Sequence, residues 1–117
     1  MSKLVLYHNP ACSKSRGALE LLEERNTELE IVEYLASPLS APELAGLLER
    51  LDGAPGDLVR KDKHFKELGL DPDDYAEPGP VAEVLAAHPR LMERPVAVVG
   101  GKAVIGRPPE RVLELID

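Results

Sequence analysis

The sequence holds a single cysteine, no tryptophan and, at 3%, very few aromatic residues. One cysteine can form no internal disulfide, and a secreted domain of this size more often carries an even set. The expectation is a reducing, cytoplasmic setting. With so few rings to fill it, the core must be aliphatic, built from Leu, Val, Ile and Ala. No apolar run approaches membrane-spanning length, so no membrane role is expected. The stretch after Met1-Ser2-Lys3 ends by Tyr7, too short for the apolar core of a signal peptide, and no small-residue cleavage pattern follows. Basic residues are outnumbered 14 to 21, for a net charge of −7. That balance argues against nucleic acid as a partner. One Cys and three scattered His cannot compose a zinc motif, so no metal is expected. No Gly-rich nucleotide loop, repeat, linker or low-complexity segment is present, and no bound cofactor is expected.

What remains is a chain of 117 residues with 44% apolar content, enough for one domain over 1–117 with its own core. Leu4-Val5-Leu6-Tyr7 is a short continuous apolar run and reads as a strand buried on both faces. His8-Asn9-Pro10 reads as the turn that ends it. A helix is predicted from Cys12 or Ser13, with Ala18, Leu19, Leu21 and Leu22 apolar and Glu20, Glu23 and Glu24 charged. Asn26 is its stop. Glu30 to Leu35 is the next strand, and strand–helix–strand at this length predicts a parallel βαβ unit.

Ser40 with Glu43 three residues on forms a capping box for a helix bearing Leu44, Leu47, Leu48 and Leu51. Residues 54–80 are mixed. Short helices are predicted at Asp57 to Lys61, carrying Arg60, and at His64 to Leu68. Val81 to Ala87 is a further helix, closed by His88-Pro89. Pro95 to Val99 and Lys102 to Ile105, joined by Gly100-Gly101, predict an antiparallel hairpin. Pro108-Pro109 opens a last helix, with Val112, Leu113 and Ile116 facing inward. The expected fold class is α/β and thioredoxin-like: a mixed sheet, βαβ then ββα, with a helical segment inserted between the halves.

Cys12 is the strongest chemical candidate. It follows a strand and turn and opens a helix, where partial positive charge and unpaired N–H groups favour thiolate over thiol. His8, Lys14 and Arg16 could add positive potential. The plain alternative, a small buried hydrophobe, fits these polar and cationic neighbours poorly. Ser13, Ser15 and Arg16 could support an anion-binding loop with the helix N–H groups, although a capping Ser with solvated charges explains Ser13 and Lys14 about as well. Phosphatase loops place an arginine six positions after the cysteine, where this chain has Ala18. Cys-x-x-Ser removes a local resolving thiol, so any disulfide of Cys12 is with another molecule. Arg60, Arg94 and Arg107 taken singly are ordinary solvated arginines. Arg94 precedes Pro95 at a strand start that faces the nucleophile in a thioredoxin-like layout. His64 and His88 read as surface or capping residues.

Tyr7-His8-Asn9-Pro10-Ala11-Cys12-Ser13-Lys14-Ser15-Arg16 resembles the signature of the glutaredoxin-coupled arsenate reductases, within a wider ArsC/Spx-like group. The likeness continues through Glu33-Tyr34-Leu35, Leu58-Val59-Arg60-Lys61, His88-Pro89, Glu93-Arg94-Pro95 and Ile105-Gly106-Arg107-Pro108. The resemblance implies that Cys12 is the catalytic nucleophile and that His8 helps keep it ionised. It implies that Arg60, Arg94 and Arg107 bind an oxyanion. The implied activity is reduction of arsenate to arsenite through a covalent Cys12–arsenate adduct, with glutathione as co-substrate and glutaredoxin as partner. Two alternatives stay open. One is an Spx-like regulator binding RNA polymerase, many of which carry Cys-x-x-Cys where this chain has Ser15. The other is a glutathione-dependent thiol reductase of the same fold with a different substrate.

Overall fold

The first apolar run forms β1 (Leu4–His8), one residue longer than predicted, because His8 still pairs in register with the neighbouring strand. In the computed structural model, residues 3–116 are described. Met1 and Ser2, at the head of the stretch weighed against a signal peptide, lie outside the described residues, as does Asp117. After the turn comes α1 (Ser13–Glu24), which buries Ser15, Ala18 and Leu22. Asn26 then takes a left-handed conformation, φ 53°, as a residue just past a helix end often does.

β2 (Leu29–Glu33) runs parallel to β1, from Leu4 opposite Leu29 to His8 opposite Glu33. Tyr34 and Leu35 were expected in this strand and lie beyond it. The N–H groups of Ala36 and Ser37 both donate to the Glu33 carbonyl, at 3.0 and 2.9 Å, so the chain turns there. β2 is an edge strand, and its Ile31 is 44% exposed.

The capping box forms as predicted at the start of α2 (Ala41–Arg50). Glu43 N–H donates to Ser40 Oγ at 3.2 Å, and Ser40 N–H donates to Glu43 Oε1 at 2.9 Å. Leu44, Leu47, Leu48 and Leu51 are buried. A 3-10 turn at Pro55–Leu58, α3 (Lys63–Glu67), a second 3-10 turn at Pro72–Asp74 and α4 (Pro78–Ala87) follow. α4 starts three residues before the expected Val81, since proline suits a helix's first turn.

Arg60 was expected on a short helix and stands instead outside any helix, just after the extended Val59. Val59 forms an antiparallel bridge with Met92. Arg60 N–H donates to the Leu91 carbonyl and Glu93 N–H donates to the Leu58 carbonyl, each at 2.7 Å. Those bonds to a distant segment outcompete one more helical turn.

β3 (Val96–Val99) and β4 (Lys102–Ile105) form the hairpin, with Gly100 at φ 55° in its turn. β3 pairs antiparallel with β1, so the sheet order is β2-β1-β3-β4. The last segment, Pro109–Leu115, winds as a 3-10 helix rather than the expected α-helix. Val112 is buried in the core on one side of the sheet, and Leu113 and Ile116, also expected to face inward, pack against it together with Leu115.

Both sheet faces are covered. On one, Leu44, Leu47, Val81 and Leu85 of α2 and α4 pack with Val96, Val98 and Ile105. On the other, Ala18 and Leu22 of α1 and Val112 pack with Leu4, Leu6, Ala97 and Val104. This is the mixed α/β, thioredoxin-like arrangement. Among the described residues, no helix is long and apolar enough to cross a membrane.

The segments flanking the hairpin are pressed together. Gly106 N–H donates to the Pro95 carbonyl at 2.8 Å. A Cβ at Gly106 would fall 2.8 Å from Pro95 Cγ and 3.0 Å from Val112 Cγ1. Gly106→Ala is therefore expected to destabilise by about 1–3 kcal/mol, as overpacking does. A lowered urea midpoint checks this, and an unchanged midpoint would show that the contact relaxes freely.

Candidate active site

Cys12 is the N-cap of α1, with extended backbone at φ −97° and ψ 124°. The loop leading to it is tied at four points. Cys12 N–H donates to the Asn9 carbonyl and Ala11 N–H to Asn9 Oδ1, both at 3.0 Å. Asn9 N–H donates to Ser15 Oγ at 3.0 Å, and His8 Nδ1 shares a 2.7 Å hydrogen bond with the same hydroxyl. Ser15, fully buried, therefore pins both ends of the turn.

Partial burial pushes the Cys12 thiol toward its protonated form and is the largest single influence on it. The N–H groups of Ser15 and Lys14 on the sulfur oppose it, as do the charge and hydrogen bonding of the Arg94 guanidinium. Together they prevail, and the thiol ionises below its ordinary range. Arg107 Nη2 also approaches Sγ at 3.9 Å.

His8, the last residue of β1, lies buried just before the same loop. Burial holds its imidazole toward the neutral form; Glu33 partly offsets this and Arg16 adds to it. Its contact is with Ser15. Ser13 is exposed, and Arg16 donates to the Pro10 carbonyl at 2.9 Å, bracing the turn from outside.

Arg60, Arg94 and Arg107, which no local pattern joins, converge. Glu93 Oε1 lies 3.0 Å from Arg107 Nε, 3.8 Å from Arg60 Nε and 3.8 Å from Arg94 Nη1. Arg60 also pairs with Asp62 at 3.3 Å, and Arg107 Nε donates to the Arg94 carbonyl at 3.0 Å. The Arg94–Pro95 and Arg107–Pro108 peptide bonds are cis. Arg94 is the most enclosed of the three, and its Nε and Nη1 are buried without a hydrogen-bond partner.

Two residues of the site were not singled out from the sequence. Glu93 is one. Tyr34, 1% exposed, is the other. Burial raises its hydroxyl's ionisation above the ordinary range. The charges of Arg94 and Arg60 oppose that shift, Cys12 adds to it, and the Asn9 side chain hydrogen-bonds the hydroxyl. Both residues sit inside the family-like motifs, which was their only signal. Among the described residues, no group of three or more His, Cys, Asp or Glu is gathered as a metal ion would need.

The thiol's alkylation rate should follow its ionisation. The rate should fall only as pH drops through a value below that of a free cysteine, because the thiolate is the reactive form. Arg94→Gln should move the inflection upward. Arg16→Gln should leave it in place, since that guanidinium is held by the Pro10 carbonyl. An inflection at the free-thiol value in the wild type would contradict the geometry.

Comparison with known proteins agrees with this architecture. An uncharacterized protein of Escherichia coli K12, YfgD, is 45% identical over 119 residues, covering 99% of each chain. An arsenate reductase of Neisseria meningitidis serogroup A is 42% identical over 114 residues, covering 96% of this chain and 97% of that one. The structure of an arsenate reductase from Vibrio cholerae superposes with a TM-score of 0.87 at 39% identity, covering 97% of both chains. The ArsC family pattern spans residues 7–115, from the strand before Cys12 to the last 3-10 turn, and the chain belongs to the ArsC family.

Proposed function

We propose that this protein reduces arsenate to arsenite through Cys12, drawing thiols from glutathione and glutaredoxin. One observation carries the reading: two buried N–H donors of Arg94 have no hydrogen-bond partner beside a sulfur whose ionisation is favoured, with Arg60 and Arg107 alongside. A buried donor left unpaired costs about 1–3 kcal/mol, more when charged. A tetrahedral oxyanion offers the missing acceptors, and guanidinium is suited to them by its fixed, paired donors and permanent charge. The arsenate reductases among the relatives support arsenate as that oxyanion.

In the first step the Cys12 thiolate attacks arsenic. An S–As bond forms, an As–O bond breaks, and the oxygen leaves as water with protons from the arsenate. The three arginines hold the remaining oxygens and offset their charge as the arsenic centre becomes crowded. Glutathione then attacks the Cys12 sulfur. An S–S bond forms, the S–As pair stays on arsenic, and arsenite departs. Each sulfur gives up one electron, matching the two that arsenic gains. Glutaredoxin takes the glutathionyl group and frees Cys12. The chain has no second cysteine to do this itself, so the cycle is completed by other thiols. Such thiols are abundant in a reducing compartment such as the cytoplasm.

Arsenate-dependent NADPH oxidation, coupled through glutathione, glutaredoxin and glutathione reductase, tests the whole cycle. Cys12→Ser should abolish it. Arg94→Gln should lower kcat/KM by about 10²–10³-fold, the range seen when one oxyanion donor is removed. Activity that survives Cys12→Ser, or a wild type inert toward arsenate, would overturn the reading.

A further inference from the structure

Glu93 has no part in the chemistry just described, yet it stands among its charges. Its Oε1 is the atom that reaches one nitrogen on each of Arg60, Arg94 and Arg107, between 3.0 and 3.8 Å. The same oxygen is buried and accepts no hydrogen bond. The two facts agree once direction is considered. Arg107 Nε points its hydrogen at the Arg94 carbonyl. Arg94 Nε and Nη1 donate to nothing. A carboxylate facing a guanidinium commonly takes two parallel N–H bonds. The buried oxygen of this one takes none, so it offers charge and leaves the two Arg94 donors free.

The backbone plants Glu93 where it must be to do so. Its N–H is bonded to the Leu58 carbonyl, two residues before Arg60, and it directly precedes Arg94. Asp62, the other carboxylate nearby, pairs with Arg60 and is engaged as the cap of α3 through Phe65 N–H.

We infer that Glu93 is a positioning residue whose carboxylate gathers Arg60, Arg94 and Arg107 beside Cys12 without occupying the N–H groups an oxyanion requires. Its purpose rests on the oxyanion reading above, but its test does not. Two opposite outcomes separate gathering from mere proximity. If Glu93 only placed a negative charge near the sulfur, removing that charge would let the thiol ionise at lower pH. If it gathers the guanidiniums, removing it frees Arg60 and Arg107, whose side chains are 30% and 31% exposed, to turn toward water. The sulfur then loses positive neighbours and ionises at higher pH.

Alkylation by iodoacetamide, followed against pH with no arsenate present, reads the sign directly. Glu93→Gln should move the Cys12 inflection upward by about half a unit or more, the scale of one lost charge neighbour. Glu93→Asp keeps the charge on a shorter arm and should move it upward by less. If the Gln variant does not fold, the Asp variant carries the test. An unchanged or lowered inflection in the folded variant overturns the inference. Protection of Cys12 by added arsenate supplies the second readout, and Glu93→Gln should need about tenfold more arsenate than the wild type, a 1.4 kcal/mol loss of binding. Should arsenate fail to protect even the wild type while the thiol shift appears, the oxyanion reading falls and the placement of Glu93 stands.

Discussion

Like charges repel, and this site needs three guanidiniums close to one sulfur. Much of the surrounding structure answers that requirement. Arg60 comes from the helical insertion, Arg94 from the segment entering the hairpin and Arg107 from the segment leaving it. Each is set by backbone bonds made close beside it, and the Glu93 carboxylate lies among their three charges. The bridge between Val59 and Met92 sets the first against the second, and the bond from Gly106 to Pro95 sets the second against the third. The chain's overall charge of −7 has little say here. Charges farther away than about 8–10 Å are screened in physiological salt, whereas those around Cys12 are near and partly enclosed.

The nucleophile depends on the same restraint. Its thiolate is favoured chiefly by two backbone N–H groups at the start of α1, and these aim at the sulfur only while the turn before them keeps its shape. Ser15 keeps that shape by joining the Asn9 backbone and the His8 ring to the first turn of the helix. His8 in turn is placed by β1, opposite Glu33 of β2. Sheet register, a buried hydroxyl and the His8 ring thus reach the sulfur through the geometry of the turn.

Features governed by neighbours in sequence were readable in advance. The Ser40–Glu43 box, the leucine stripe of α2, the Gly100-Gly101 hairpin and the helix opening at Cys12 all follow from residues within a turn or two of one another. Features governed by distant partners were not. Arg60 left its expected helix because Leu91 and Glu93 claim the backbone around it, more than thirty positions away. Tyr34 looked like a strand residue, and only the turn at Glu33 sends it toward Cys12 and the arginines. Cys12 could be chosen from its own surroundings. The three arginines could be chosen only through family resemblance, because their meeting point exists in the folded chain alone.

The hairpin places one more condition on the sequence. Val99 pairs with Lys102 and Val96 with Ile105, and the Gly106–Pro95 bond carries the ladder one step further. Arg94 and Arg107 are the next residues on either side, equally far from the turn. The hairpin therefore behaves as a pair of callipers whose tips are the two arginines. Over evolutionary time its arms can lengthen or shorten, but only by matched insertions or deletions on both. A single added residue in one arm would slide one arginine past the other and turn every side chain beyond it to the opposite face of the sheet. Length variation in this part of the chain is consequently expected in even steps, or confined to the tip around Gly100, where the jaws are not disturbed.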